Sequence, residues 1–308
     1  MCKLTIEEII AELVSSNKSL LSSRLAELSN LSSGELELFE QAWAACDVKR
    51  RRQIVYRLVE LAGDNLELNF DGIFKNCLKD QDASVRSEAI EGLWENEEAS
   101  LIEPLINSLQ QDTSEKVQTA AAIALGKFAM LAEQGKLGDH HAARVSQALF
   151  TVIDDESKPV EVRRRALESA STLSLPEMKK TIMEAYQNSD DKLRVSSIYA
   201  MGKSCDPSWL PILLNELNND DPEVRYEAVG ACGELEEPEA VPHLIDLMND
   251  PDTDVRLAII RTLGKIGGAE AKQCLNQCLS SRSAAISQAA EQALEEMEAA
   301  GDPFSFKR

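Results

Sequence analysis

Asp220-Asp221-Pro222-Glu223-Val224-Arg225-Tyr226-Glu227-Ala228-Val229-Gly230-Ala231-Cys232-Gly233 is the stretch from which the rest of the chain can be read. A shift of 31 positions gives Pro251-Asp252-Thr253-Asp254-Val255-Arg256-Leu257-Ala258-Ile259-Ile260-Arg261-Thr262-Leu263-Gly264, with the same Val-Arg, the same apolar pair and the same closing glycine. Self-similarity at a fixed period of this length marks an array of stacked supersecondary elements.

The residue before the arginine can be followed as an anchor through Ile54, Val85, Val117, Val162, Leu193, Val224, Val255 and Ile286, in steps of 31, 32, 45, 31, 31, 31 and 31. Four residues after each anchor the side chain is mostly small, and eight after it is apolar, so positions 0, 4 and 8 form one packed side of a helix. Gly63, Gly126, Gly202, Gly233 and Gly264 come one residue later and are expected to end these helices, because glycine accepts the left-handed conformation. A preceding apolar helix makes the other half of each repeat. Pro104, Pro211 and Pro242 stand 13 residues before their anchors, suited to a first turn where no amide donor is needed. An acidic turn such as Asp220-Asp221-Pro222 or Asp250-Pro251-Asp252 joins the two helices, its aspartate placed to cap the second.

Two antiparallel helices in 31 residues, with Asp-Pro before Val-Arg and Leu-Gly after, resemble HEAT repeats of the short bacterial type also seen in phycobilin-lyase-like proteins. The resemblance spans residues 47–298. It implies an all-α fold, an α-solenoid of about eight hairpins wound as a right-handed superhelix with the second helices on the concave side. Residues 1–46 do not follow the repeat. Their apolar spacings, such as Ile6, Ile9, Ile10 and Leu13, predict two or three helices that form an N-terminal cap. The 45-residue step places an insertion near 129–142, read as a spacer. The tail, 299–308, has no periodicity and is expected to fray, with Phe304 and Phe306 able to fold back.

The chain carries 53 acidic and 32 basic residues, a net charge of −21. A field of that sign repels phosphate backbones and anionic membranes, so neither nucleic acid nor membrane is an expected partner. Acidic residues stand where a signal peptide needs its apolar core, and no run approaches the roughly 20 apolar residues of a membrane span. A cytoplasmic monomer is expected. Seven cysteines without a Cys-x-x-Cys pair read as reduced, small hydrophobes.

Signs of catalysis are missing. His140, His141 and His243 form no metal-ligand spacing, and no Gly-x-Ser-x-Gly or phosphate-binding glycine loop is present, so no metal, no cofactor and no enzyme activity are expected. Among proteins sharing the resemblance, deoxyhypusine hydroxylases bind iron through paired His-Glu motifs, and this chain has no His-Glu dipeptide. HEAT-like DNA glycosylases need a positive groove, which the charge opposes.

The arginine after the anchor recurs as Arg86, Arg163, Arg194, Arg225 and Arg256. The resemblance implies that it pairs with acidic turn residues of its own and adjacent repeats, and Asp82, Asp190, Asp221 and Asp252 stand three residues before their anchors, giving a structural Asp/Arg ladder. Lys49-Arg50-Arg51-Arg52 and Arg163-Arg164-Arg165 are the dense basic clusters. Both read first as solvated faces with intramolecular partners and second as docking sites for an acidic protein or phosphate, with Arg164 and Arg165 the candidate partner-binding residues. Positions two, three and six after the anchor point away from the packed side: Val195, Ser196 and Tyr199, then Tyr226, Glu227 and Gly230, then Leu257, Ala258 and Arg261. Of these, Tyr199, Tyr226, Leu257 and Arg261 are the residue types enriched at protein interfaces, and a peptide- or helix-binding patch is expected there. The functional expectation is a non-enzymatic protein-interaction scaffold binding through its concave surface. The alternative is a chromophore or cofactor lyase of the phycobilin-lyase type, for which no motif can be carried over residue by residue.

Overall fold

The structure, a computed structural model, describes residues 4–15 and 19–301, and every regular element among them is helical. The chain forms two compact units, Met1–Ser169 and Ala170–Arg308. In chain order the first holds α1 (Ile6–Val14), α2 (Ser22–Ala26), α3 (Ser33–Ala44), α4 (Val48–Asp64), α5 (Asp71–Cys77), α6 (Ala83–Gly92), α7 (Ile102–Gln111), α8 (Glu115–Glu133), α9 (Asp139–Asp154) and α10 (Val160–Ala170), which ends at the boundary. The second holds α11 (Pro176–Tyr186), α12 (Asp191–Lys203), α13 (Leu210–Glu216), α14 (Pro222–Leu235), α15 (Ala240–Asp246), α16 (Thr253–Ile266), α17 (Ala269–Cys278) and α18 (Ala284–Gly301).

Packing follows chain order inside each unit. In the first, α4, α6 and α8 lie side by side while α5 pairs with α6 and α7 with α8; in the second, α12, α14, α16 and α18 form the row, each paired with the helix before it. Every anchor is buried, as is every residue four positions on. Eight positions on, Leu93, Leu125, Ala170, Met201, Cys232 and Leu263 are buried, while Ala62 and Leu294, in the outermost repeats, are half-buried. That gradient is the signature of stacking, because an end repeat lacks a neighbour on one side. Each fully buried Val, Leu or Ile contributes roughly 1.5–3 kcal/mol.

The recurring glycines do not end helices. Gly63, Gly126, Gly202, Gly233 and Gly264 all lie within helical spans, and none has a positive φ. They sit instead where second helices approach most closely. A Cβ on Gly202 would lie 2.6 Å from Ala231 Cα, one on Gly264 2.8 Å from Ala293 Cβ, one on Gly233 3.1 Å from Thr262 Oγ1, and one on Gly126 2.8 Å from Ser169 Oγ. Glycine at position nine therefore faces position seven of the next repeat, and its missing side chain sets the spacing. Gly63 is the exception, with nothing within 4 Å.

The extra residues near 129–142 lengthen two helices. α8 runs 16 residues past Val117 where α14 and α16 run 11 past theirs, and a short connection turning at Gly135 (φ 68°) leads into α9. At the C-terminus α18 continues to Gly301, so the first residues of the expected tail, 299–301, are helical; 302–308, with Phe304 and Phe306, lie outside the described residues, as does Cys2. Among the described residues no helix is long and apolar enough to cross a membrane.

The glycine contacts give a paired prediction. Gly202→Ala should destabilise by about 1–3 kcal/mol, since its methyl meets the backbone of α14. Gly63→Ala should be neutral or stabilising by up to about 1 kcal/mol, since helix propensity improves without a clash. Chemical denaturation of the two variants checks both, and equal effects would refute the spacing role.

Candidate functional site

Four of the second helices, α6, α12, α14 and α16, start on an aspartate whose carboxylate takes the helix's free amides. Asp82 accepts from Ser84 and Val85, Asp190 from Lys192 and Leu193, Asp221 from Glu223, and Asp252 from Asp254 and Val255. Such a cap stabilises by about 1 kcal/mol. These aspartates, expected as partners of the recurring arginine, are helix caps, held by amides two or three residues on; Asp82 takes an arginine as well, but Arg52 from outside that series.

The arginines reach further. Arg86 holds Asp112 through Nε and Nη2 at 2.7 and 2.8 Å, and Arg225 holds Asp250 at 2.7 and 2.9 Å. Both acids lie five residues before the anchor of the following repeat. The remaining Nη1 donates to backbone carbonyls of the arginine's own turn, Asp80 and Gln81 for Arg86, Asn219 and Asp220 for Arg225. Arg225 and Asp250 are both buried. The other three differ. Where Asn219 replaces the acid, Arg194 turns to buried Glu216 at 3.0 Å, which also accepts from Tyr186 and Asn219. Arg163 bonds the Ile153 carbonyl, and among the described residues Arg256 bonds only Thr253 Oγ1. Asp82 pairs instead with Arg52, at 2.8 and 2.5 Å.

The basic clusters resolve into intramolecular partners. Arg50 is buried with Nε on the Leu13 carbonyl, Arg51 lies 3.1 Å from Asp80, and Arg164 and Arg165 both bond Glu161 and Glu168 on their own helix. A second row of charges, at position ten, escaped the sequence reading. Lys203 and Lys265 flank Glu234 at 3.1 and 3.2 Å, and Lys127 donates to the carbonyls of Trp94 and Asn96, closing the end of α6. Lys127 sits beside the indole of Trp94, and burial pushes its ammonium below the usual lysine value.

Three of the four residues expected to form a patch do come together. Tyr226 on α14, with Leu257 and Arg261 on α16, lines a groove of 470 Å³ completed by Pro222, Glu223, Asp252 and Asp254. Tyr226 is 38% exposed. Tyr199, on α12, is 36% exposed but lies outside this groove, beneath the Lys203 ammonium. Position three does not uniformly face outward as expected: Ser196 and Ala258 are buried and Glu227 is half-buried, while position two is half-buried to exposed and position six is exposed. Among the described residues Arg261, Glu223 and Asp254 have no ion-pair partner. The groove is thus an apolar floor flanked by carboxylates at two helix starts, with one uncommitted guanidinium along α16.

A larger recess of 630 Å³ lies in the first unit along α5 and α7, lined by Lys75, Lys79, Asn107 and Gln111 among others. Most of its residues belong to first helices and their ends, read from sequence as apolar supports, and the recurring proline among them, Pro104, reads as a helix start and not as part of a recess. Among the described residues no group of three or more His, Cys, Asp or Glu could hold a metal ion. Cys46, Cys77, Cys232 and Cys274 are buried, and burial pushes the Cys232 thiol up to about 12, which keeps it protonated.

The sequence pattern of HEAT repeats matches residues 71–160 and 210–295, together more than half of the chain. The chain belongs to the HEAT-repeat family. No curated protein matches it in sequence. Among solved structures this HEAT-repeat protein is similar to the complex of CpcE and CpcF of phycocyanin lyase from Nostoc sp. PCC7120, with a TM-score of 0.52 and 16% identity over 97% of this chain and 95% of that one. It is also similar to importin beta, with a TM-score of 0.52 and 14% identity over 96% of this chain and 44% of that one. At these identities the likeness shows the fold, an α-solenoid.

The ion pairs carry a pH dependence. Arg52's hydrogen bonds hold the Asp82 carboxyl down at about 2; burial pushes Asp112 and Asp250 up, but the bonds from Arg86 and Arg225 and those from the turn amides together leave both lowered. A lowered carboxylate contributes stability above its unfolded value of about 3.9 and loses it as pH falls through the folded value. Unfolding free energy should therefore fall as pH drops from about 4 toward 2, and Arg52→Gln should flatten part of that slope. An identical slope in the variant would refute the assignment to Asp82.

Proposed function

We propose that this HEAT-repeat protein is a non-enzymatic interaction scaffold, working without a cofactor as a cytoplasmic monomer, that binds a peptide or helical segment of a partner protein along the second helices of its C-terminal unit. The groove of Tyr226, Leu257 and Arg261 carries the reading, because tyrosine, leucine and an unpaired arginine at one recess combine apolar contact with uncommitted hydrogen-bond capacity. Charge complementarity names the partner's chemistry. Glu223, Asp252 and Asp254 flank the floor in a chain of net charge −21, which suits a segment whose apolar side chain sits on Tyr226 and Leu257 and whose neighbouring lysine or arginine meets the carboxylates.

A second reading draws on the likeness to the phycocyanin lyase complex over nearly the whole of both chains: a chromophore lyase-like protein. Incubation with linear tetrapyrroles separates the two, since a scaffold alone yields no coloured complex.

The test uses labelled peptides in two series, basic-apolar and charge-reversed, titrated with the full chain by fluorescence anisotropy. The basic-apolar series should bind more tightly, more weakly at high salt, and at least about 10-fold more weakly to Tyr226→Ala. Equal binding of both series, or a Tyr226→Ala protein indistinguishable from wild type, would reject the groove as the binding surface.

A further inference from the structure

The carboxylate five residues before the anchor does two jobs. In Asp112 and Asp250, Oδ1 accepts the amide two residues on, from Ser114 at 2.9 Å and Asp252 at 2.8 Å, while both oxygens receive the fork of Arg86 or Arg225 from the preceding repeat. Arg256 occupies the same register one repeat after Arg225. The residue 25 positions further on, where Arg225 finds Asp250, is Ser281.

Ser281 does the first job and not the second. Its Oγ accepts from the Ser283 amide at 3.2 Å, which keeps the turn. Asp250 is near enough for its charge to interact with that of Arg256, but among the described residues no carboxylate accepts a hydrogen bond from the arginine: Nε is buried with no hydrogen-bond partner, and Nη2 reaches only Thr253 Oγ1 at 2.9 Å. A buried donor left without an acceptor is destabilising. Next in sequence, exposed Arg282 makes no ion pair among the described residues and offers a second guanidinium at the same turn.

We propose that Ser281 is a phosphorylation site whose phosphate is received by Arg256, completing the last rung of the arginine series. In the transfer, Ser281 Oγ bonds to the γ-phosphorus of a nucleoside triphosphate held by a protein kinase. The bond from that phosphorus to the bridging oxygen breaks, the nucleoside diphosphate leaves, and the hydroxyl proton passes to the kinase's base. Ser281 is half-exposed in the loop between α17 and α18, so the hydroxyl is within reach. A substituent on that oxygen starts inside the turn, whereas Nε is shielded from a carboxylate approaching through solvent. A phosphate beside arginine gains charge-assisted hydrogen bonds and orders the loop that carries it.

The test installs phosphoserine at position 281 of the full chain by genetic encoding. The thermal midpoint should rise by about 2–4 °C over the Ser281 protein, and the rise should vanish with Arg256→Gln and be absent when phosphoserine is placed at Ser280. The phosphate's second ionisation, followed by phosphorus NMR in the Arg256 protein, should fall below its usual value of about 6; this readout stands even if Arg256→Gln fails to fold. Phosphopeptide mapping of protein from its own cells should find the phosphate on Ser281. A midpoint unchanged or raised equally at Ser280, an unshifted titration, or a peptide without phosphate across growth conditions would each overturn the proposal.

Discussion

A hairpin of two short helices exposes more apolar surface than it can cover alone, and every other feature of this protein answers to that constraint. The anchor residues and those four positions on are buried against the paired helix and the next second helix, and the outermost repeats are less covered at position eight. How closely second helices approach is set by absent atoms as much as by present ones. Gly202 against Ala231 and Gly264 against Ala293 leave no room for a Cβ, so backbone packs almost directly on its neighbour.

Polar groups are organised around the same stacking. The turn between the helices of a repeat gathers amides and carbonyls that lack helical partners, and aspartate caps, asparagine turns and arginine forks satisfy them. Arg86 and Arg225 each tie their own turn to the acid of the next repeat, so one side chain serves both local satisfaction and register between repeats. When the acid is missing the arginine finds a substitute, as Arg194 does in Glu216, or is left short, as Arg256 is. Burying such pairs gives little net stability, but losing one partner costs several kcal/mol, roughly 3–5 by analogy with other buried pairs.

The open positions are what remains after packing and rung formation have claimed theirs. Tyr226, Leu257 and Arg261 face a shared groove because positions two and six lie opposite the buried stripe, and because Glu223 and Asp254 are held in first turns where the helix dipole favours a negative charge. The binding proposed for this groove therefore falls on residues free of structural obligations, in keeping with the weak coupling of fold and activity in proteins of this architecture.

The 31-residue period alone determined the helical hairpin, the buried anchors and the order of stacking, since each depends on local spacing and on contacts between adjacent repeats. It also marked Tyr226, Leu257 and Arg261, because a helix's outward face follows from its inward one. Tertiary structure decided what depends on distances between helices. Glycine at position nine reads equally well as a helix end or a close approach, and only the position of Ala231 beside Gly202 distinguishes them. Likewise Asp221 and Asp112 are identical in chemistry, yet one is a cap and the other the receiver of Arg86. Which carboxylate a long guanidinium reaches is fixed by the placement of the neighbouring turn in space, and a one-dimensional pattern does not contain that distance.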